Sequence, residues 1–401
     1  MDIDYSKAFT RKEGLSLLKD NWKNVIRKET VNINECIGRV TYENIYSVFD
    51  APVHRTAALD GIAVSYSMFE GSDPDTTCWT EGKEYVFADT GDDFPDEFDT
   101  VIAIEDVEIN EGKIKILDSY KKGFEKGSTT KPAGSFCKKG ELLVPANTKI
   151  TPMMASCLVI GGIQKVDVIA KPKIFYIPTG DELVGLGAQP KRGQTMESNS
   201  IMVKGMLEAL GAEIILFPII KDDKKELENA LDAALESADI VILNGGTSKG
   251  TEDYNAEILK ERGSMFRHGV KAGPGKPLAI SLIDNKPVIN VPGPPVPCWI
   301  ALDWCIRGLI SKYYGIKDAV RPTIKARLAD DLKKRKDFEM YYQFDIKKEN
   351  GEYVAYFIKR RRSFPDVVLN TKALFIAPSD STGYKAGEVI ELELLTSMED
   401  I

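Results

Sequence analysis

From Lys171 to about Tyr313 the chain alternates short apolar runs with helical patterns, and this βαβα succession limits the possible fold more than any other feature. The sharpest run is Ile240-Val241-Ile242-Leu243, inside DIVILNGGTSKGTEDY (239–254). An unbroken apolar run that stops at glycine suits a parallel strand covered on both faces. Gly245 and Gly246 let the backbone turn tightly and come close to a ligand. Thr247, Ser248 and Thr251 add hydroxyls, Lys249 adds a charge, and a helical pattern follows from about Asp253. Proteins cradle phosphates with this succession, because free amide N–H groups point outward at a helix N-terminus. A GG turn alone is equally a tight connection without a ligand, so its neighbours must decide.

Those neighbours repeat the design. A strand at 173–177 ends in Pro178-Thr179-Gly180-Asp181-Glu182. A loop rich in Gly and Pro runs to Ser198, and Ser198-Asn199-Ser200 is read as the cap of a helix with Met202, Val203, Met206, Leu207 and Leu210 on one face. A strand at 213–220, a helix at 224–236, the glycine stretch and a helix to about Arg262 follow. Strands at 277–283 and 287–291 lead through Pro292-Gly293 into a last helix, from Cys298 to about Tyr313. The pattern predicts a doubly wound parallel α/β domain. In such sheets ligands bind beyond the carboxyl ends of the strands. The loops 179–182, 245–250 and 292–295 therefore share one edge, with the helix near Asp253 aiming its N-terminus into their cleft.

The flanks read differently. Residues 7–20 form an amphipathic helix with a Thr10/Glu13 capping box, and 31–50 hold a short helical run. Asp60-Gly61 is a turn before the strand Ile62-Ala63-Val64. Short β-like runs with Gly, Asp and Lys clusters make 65–136 an all-β insertion, and 153–160 is read as a buried helix closed by Gly161-Gly162. Residues 320–401 alternate like a small β-barrel or sandwich, and Arg360–Arg362 is read as a solvated face.

A formal net charge of −8 argues against a general nucleic-acid binder, so an anionic ligand needs a local basic pocket. The opening MDIDYSKAFTRK shows no signal pattern, and no apolar run nears the ~18 residues that span a bilayer. No membrane association and a cytoplasmic location are expected. Six scattered cysteines without a CxxC pair suit reduced thiols, and two histidines leave little for histidine chemistry.

With these residues in hand, the chain resembles the MoeA/gephyrin-E family of molybdopterin molybdenumtransferases over nearly its whole length. The matching pieces are TAALDGIAV (56–64), DTG (89–91) with Asp99 and Glu105, and KKGELLVPANTKITP (138–152). PTGDELV (178–184), GQTMESN (193–199), NGGTSKGTEDY (244–254) and HGVKAGPGKP (268–277) follow. VPGPPVP (291–297) and STGYKAGEVIELELL (381–395) complete the series. The resemblance implies insertion of molybdate or tungstate into adenylylated molybdopterin, with release of AMP. It implies four domains: 1–44 with 137–170, an inserted β-rich domain at 45–136, a MogA-like α/β domain at 171–318, and a β-barrel-like domain at 319–401. The first two would be elongated. It further implies a homodimer with the active site at the subunit interface, and as partners a MogA-type adenylyltransferase and molybdoenzyme apoproteins.

By matching position, Asp60, Glu182, Asp253 and Lys276 would be catalytic, with Glu182 and Asp253 holding Mg²⁺ against the pyrophosphate. Thr90, Thr179, Gly180, Asp181, Ser198, Asn199, Gly245, Gly246, Thr247, Ser248, Lys271, Pro292 and Gly293 would bind substrate. The chain departs from the pattern where Phe136 replaces a carboxylate, Gly273 a basic residue, and Pro294 and Pro297 an Asn and a Ser. Lys271 and Lys249 are the residues expected to compensate. Two other functions stay open on sequence alone: a non-catalytic pterin- or nucleotide-binding paralogue, and a MogA-type adenylyltransferase.

Overall fold

The structure is a computed structural model that describes residues 7–110, 112–246, 254–318, 320–359 and 363–400. It divides into two compact units, Lys28–Ile169 and a larger one made of Met1–Arg27 with Ala170–Ile401. The first helix, α1 (Arg11–Asn21), belongs to the larger unit. Its Thr10/Glu13 capping box is present, with Thr10 N donating to the Glu13 carboxylate at 2.7 Å and Glu13 N to Thr10 Oγ1 at 3.2 Å. Beyond the expected amphipathic face, Gly14 lies against the Phe9 ring and Gly308 against Leu15, where any Cβ would collide.

The smaller unit contains β1 (Lys28–Asn32), β2 (Gly61–Val64), β3 (Tyr85–Ala88), β4 (Thr100–Ala103), α2 (Pro152–Ile160) and β5 (Lys165–Ile169). Its two ends meet, because β1 pairs antiparallel with β5. Strand β2 is the centre of a three-stranded antiparallel sheet and is buried throughout. Ala63 joins Ala57, Ala88, Phe98 and Val101 on one face, while Ile62 and Val64 join Tyr85, Ile102 and Ile114 on the other. Coverage on both faces explains why the strand has no polar alternation. Gly61 is fixed by contact: a Cβ there would meet the Ile102 carbonyl oxygen at 2.0 Å. Helix α2 corrects the sequence reading of a buried helix. Ala155 and Leu158 are buried, but Met153 is 80% exposed and Val159 56%.

The α/β part of the larger unit contains β6 (Lys173–Pro178), α3 (Asn199–Ala209), β7 (Glu213–Leu216), α4 (Lys224–Ser237) and β8 (Ile240–Asn244). It continues with α5 (Tyr254–Arg262), β9 (Met265–His268), β10 (Ala279–Ile283), β11 (Lys286–Val291), α6 (Pro295–Ala301) and α7 (Arg307–Tyr314). The sheet order is β7-β6-β8-β11-β10-β9. Strands β7, β6, β8 and β11 are parallel as expected, but β10 runs against β11 and β9, so the sheet is mixed. The cause is local. Asp284 and Asn285 both have positive φ (50° and 61°), the two-residue turn that closes a tight hairpin. Strand β9 is an addition to the sequence pattern. The last helix starts at Pro295 rather than Cys298, and a π-helical stretch, Leu302–Ile306, separates α6 from α7.

The remainder is a closed five-stranded barrel: β12 (Thr323–Leu328), β13 (Glu339–Glu349), β14 (Glu352–Phe357), β15 (Ala373–Ala377) and β16 (Val389–Leu394). Its order is β13-β14-β12-β16-β15, and β15 closes onto β13. Burial alternates strictly along β12, with Ile324, Ala326 and Leu328 inside. Helix α8 (Phe364–Asn370), capped by Ser363, is an addition to the expected barrel. Arg360–Arg362 lies outside the described residues.

Candidate functional site

The carboxyl ends of β6, β8 and β11 meet at one edge of the sheet, and a buried asparagine network ties them together. Asn244, the last residue of β8, accepts from Tyr176 Oη at 2.7 Å and from Asn199 Nδ2 at 2.8 Å. Its own amide donates to the Pro292 carbonyl at 2.8 Å and to that of Val291 at 3.3 Å. Asn199 Nδ2 also donates to the Gly293 carbonyl at 2.7 Å. Asn255, in the first turn of α5, donates to Thr179 Oγ1 at 3.0 Å and to the Gly245 carbonyl at 3.1 Å. Asn290, with its amide nitrogen turned toward β8, donates to the carbonyls of Leu243 and Gly245 at 3.2 and 2.9 Å. All four asparagines are at most 5% exposed. The expected convergence of Thr179, the glycine loop and Pro292 is therefore present, and the start of α5 reaches into it.

Above this network lies a cavity of about 290 Å³, lined by Thr179, Glu182, Thr195, Glu197, Ser198, Asn199, Asn244, Gly245 and Gly293 among others. Gly245 has φ +125°, and a Cβ would sit 2.4 Å from the Thr179 carbonyl oxygen, so the loop crosses Thr179 only as glycine. Among the described residues, the Oδ1 atoms of Asn199 and Asn255 are buried without a hydrogen-bond partner. Unpaired buried acceptors of this kind cost about 1–3 kcal/mol each, which a donor on a ligand recovers. Glu182 lines the cavity, and its carboxylate has no hydrogen bond or ion pair within the described residues.

The capping of α3 differs from the sequence reading. Ser198 occupies the N-cap position but makes no side-chain cap bond. Glu197 does that work: Oε1 accepts from the backbone N–H of Asn199 and Ser200 at 2.9 and 3.0 Å, and Oε2 accepts from Ser200 Oγ at 2.5 Å. A carboxylate there also suits the positive end of the helix. Burial, followed by the charge of Glu197, pushes the Cys298 thiol up to about 12, so it stays protonated at neutral pH.

Other expected residues sit elsewhere. Asp181 is exposed and accepts from Asp222 N at 3.4 Å, and it does not line the cavity. Lys276 places Nζ 4.6 Å from the centre of the Phe338 ring, and Gly275 lies beside the Pro297 carbonyl. Lys271 is pinned through its backbone, donating to the Phe9 carbonyl at 2.7 Å and accepting from Glu339 N at 2.9 Å. Its charge acts on Glu13 at the start of α1, and neither lysine lines the cavity. Thr247, Ser248, Lys249 and Asp253 lie outside the described residues.

In the smaller unit Asp60 and Thr90 are brought together. Asp60 Oδ1 accepts from Thr90 N at 2.7 Å and from Thr90 Oγ1 at 2.8 Å. The backbone bond, then the hydroxyl, hold the Asp60 carboxyl below its ordinary value. Phe136 is 60% exposed, with Lys131 Nζ 5.3 Å from its ring centre.

Sequence reasoning misses Asn244, Asn255, Asn290, Tyr176 and Glu197. Asn244 and Asn290 do carry a signal: each is a buried polar residue at or near the end of a strand and follows a run of buried apolar residues.

A sheet edge of this kind, walled by glycine loops and backed by orphaned amide oxygens, belongs to a ligand-binding α/β domain. The model described as "Probable molybdopterin binding domain" matches residues 176–312, and that described as "MoeA N-terminal region (domain I and II)" matches 9–162. The class is thus a multidomain molybdopterin-binding protein.

The chain is 28% identical to a molybdopterin molybdenumtransferase of Haemophilus influenzae, covering 91% of this chain and 93% of that one. It is 27% identical to one from Nostoc sp., covering 91% and 88%. Crystal structures of a molybdopterin biosynthesis MoeA protein from Pyrococcus horikoshii superpose with TM-scores of 0.79 and 0.77 at 26% identity. These cover 98% and 97% of this chain and all of theirs. The chain belongs to the MoeA family. Likeness through the N-terminal region, the α/β domain and the barrel does not favour the non-catalytic paralogue or the adenylyltransferase.

Proposed function

We infer that this chain is a molybdopterin molybdenumtransferase: it inserts molybdenum into molybdopterin during molybdenum cofactor biosynthesis. The observation that carries the reading is the coincidence of near-complete likeness to molybdenumtransferases with a polar cavity at the carboxyl edge of the α/β sheet. The substrate is taken as adenylylated molybdopterin, with molybdate or tungstate as the second substrate and AMP as the leaving group. Asn199 Oδ1 and Asn255 Oδ1 are acceptors for substrate N–H or O–H groups. Thr179, Ser198, Gly245 and Gly293 shape the wall. Lys276 takes the oxyanion.

Among the described residues, no group of three or more His, Cys, Asp or Glu could hold a metal ion. Mg²⁺ is held by one or two carboxylates together with substrate phosphate oxygens. The unpaired Glu182 is one such carboxylate, and Asp253 is the second in this reading. Bound there, Mg²⁺ would neutralise charge on the pyrophosphate and the departing AMP.

A homodimer, a cytoplasmic setting, and exchange with a MogA-type adenylyltransferase and molybdoenzyme apoproteins belong to the same proposal. So do the four domains, 1–44 with 137–170, 45–136, 171–318 and 319–401. Among the described residues no helix is long and apolar enough to cross a membrane. The test is molybdate-dependent activation of an apo-molybdoenzyme by the purified chain. Glu182→Gln and Asp60→Asn should each lower activation by at least about tenfold, the size of a lost charge-assisted contact. Activation untouched by both would remove these carboxylates from the mechanism.

A further inference from the structure

We propose that the loop from Gly185 to Gln194 closes over the cavity at the carboxyl edge of the sheet and sets Lys191 and Arg192 on the substrate's phosphates; this rests on the reading that the pterin nucleotide occupies that cavity. The loop is rooted in the cavity wall at both ends. Glu182 and Leu183 lie before it, Thr195, Met196 and Glu197 lie after it, and all five line the cavity. The two roots are tied to each other. Leu183–Val184 pairs with Thr195–Met196, Thr195 N donates to the Glu182 carbonyl at 2.8 Å, and Glu197 N donates to that of Val184 at 2.9 Å.

Between these roots the chain is tied only to itself. Every residue from Gly185 to Gln194 is exposed, and Leu186 is 97% exposed. Ala188 N donates to the Gly185 carbonyl at 3.1 Å, Gln194 N to the Lys191 carbonyl at 2.9 Å, and Lys191 N to Gln194 Oε1 at 3.0 Å. Among the described residues, no hydrogen bond or ion pair joins the loop to the rest of the domain. A segment with so few contacts can be repositioned at little cost. Gly187 and Gly193, with φ of +88° and +84°, flank the tip and supply the backbone freedom of a hinge. A leucine left in water gains when a closing loop covers it.

Charge identifies what the closed loop meets. Among the described residues lining the cavity, Glu182 and Glu197 are carboxylates and none is a cation. Phosphate groups placed between such walls call for positive charge from outside them. Lys191 and Arg192 precede Thr195 by four and three residues, so their Cα atoms lie within about 14 Å of that wall even on fully extended backbone. Neither side chain has a hydrogen bond or ion pair among the described residues, so no existing bond is lost when they turn inward. The guanidinium fork of Arg192 can donate to two phosphate oxygens at once, and the Lys191 ammonium adds a second charge. Leu186 then covers the apolar rim formed by Leu183 and Met196 and excludes water.

The test uses the full chain, by turnover of adenylylated molybdopterin and by limited digestion with trypsin. Arg192→Ala should raise the KM for adenylylated molybdopterin about tenfold with a much smaller change in kcat, as expected for a contact to a charged ligand. Arg192→Lys should give an intermediate KM, which a merely structural role would not produce. Exposed loop substitutions of this kind leave folding intact. Peptide mapping should find a tryptic cut after Lys191 or Arg192 that saturating AMP slows at least about threefold, the mark of a loop drawn onto the phosphate. An unchanged KM in Arg192→Ala and in the double variant Lys191→Ala, Arg192→Ala, with turnover intact, overturns the proposal whatever the digestion shows and leaves the parent reading standing. A wild-type chain without oxyanion-dependent turnover overturns the parent reading, and this proposal with it.

Discussion

Asn244→Ala is the most informative perturbation of the site, because its cost follows from individual bonds. The side chain makes four hydrogen bonds. Three of its partners keep another: Tyr176 Oη has Glu197 at 3.3 Å, Asn199 Nδ2 has Gly293 at 2.7 Å, and the Val291 carbonyl has Gly245 N at 3.3 Å. The Pro292 carbonyl loses its 2.8 Å donor and has no second one among the described residues. One orphaned carbonyl and three weakened bonds total about 3 kcal/mol. For a cooperative unit of this size that corresponds to a fall in Tm of ~6–12 °C. The assay is thermal unfolding of the full chain followed by circular dichroism. Asn21→Ala is the control, since it removes an exposed 2.8 Å bond to Leu17 and should shift stability by less than about 0.5 kcal/mol. A shift for Asn244→Ala no larger than that of the control would refute the claim that this network holds the three loops together.

Gly245→Ala should distort the loop over Thr179 and cost roughly 1–3 kcal/mol, with turnover reduced more than stability; unchanged turnover would mean the loop is free to move aside. His268 gives a pH signature. Burial holds its pKa below the ordinary 6.5, so the unfolded chain takes up the proton first, and stability should fall as pH drops through 6.5 and flatten below the folded value. His268→Gln should remove that slope in urea titrations above about pH 5, where carboxylates contribute little; an unaltered slope would place its origin elsewhere.

The layout of the α/β domain is legible because strands covered on both faces are continuous apolar runs, and their glycine stops lie at one edge by topology alone. The reversed β10 is not, since Asp284-Asn285 forms a hairpin only once both residues adopt positive φ. Glu197 is hidden for a similar reason: a serine at the N-cap position looks like the cap, and only the fold shows the carboxylate before it taking the free N–H groups. The asparagine network joins residues up to 94 positions apart, and no local pattern encodes such pairing. Glu182, Ser198, Asn199 and Gly245 are found from motif position and do line the cavity, whereas Lys271, named in the same way, does not line it.

The central claim is molybdenum insertion, and AMP release tests it most directly. Purified chain would be incubated with adenylylated molybdopterin and Mg²⁺, with and without molybdate or tungstate, and AMP quantified by chromatography. The expected result is AMP release that depends on the oxyanion and matches the metal incorporated mole for mole. Tight binding of the pterin nucleotide with no oxyanion-dependent AMP would contradict the account.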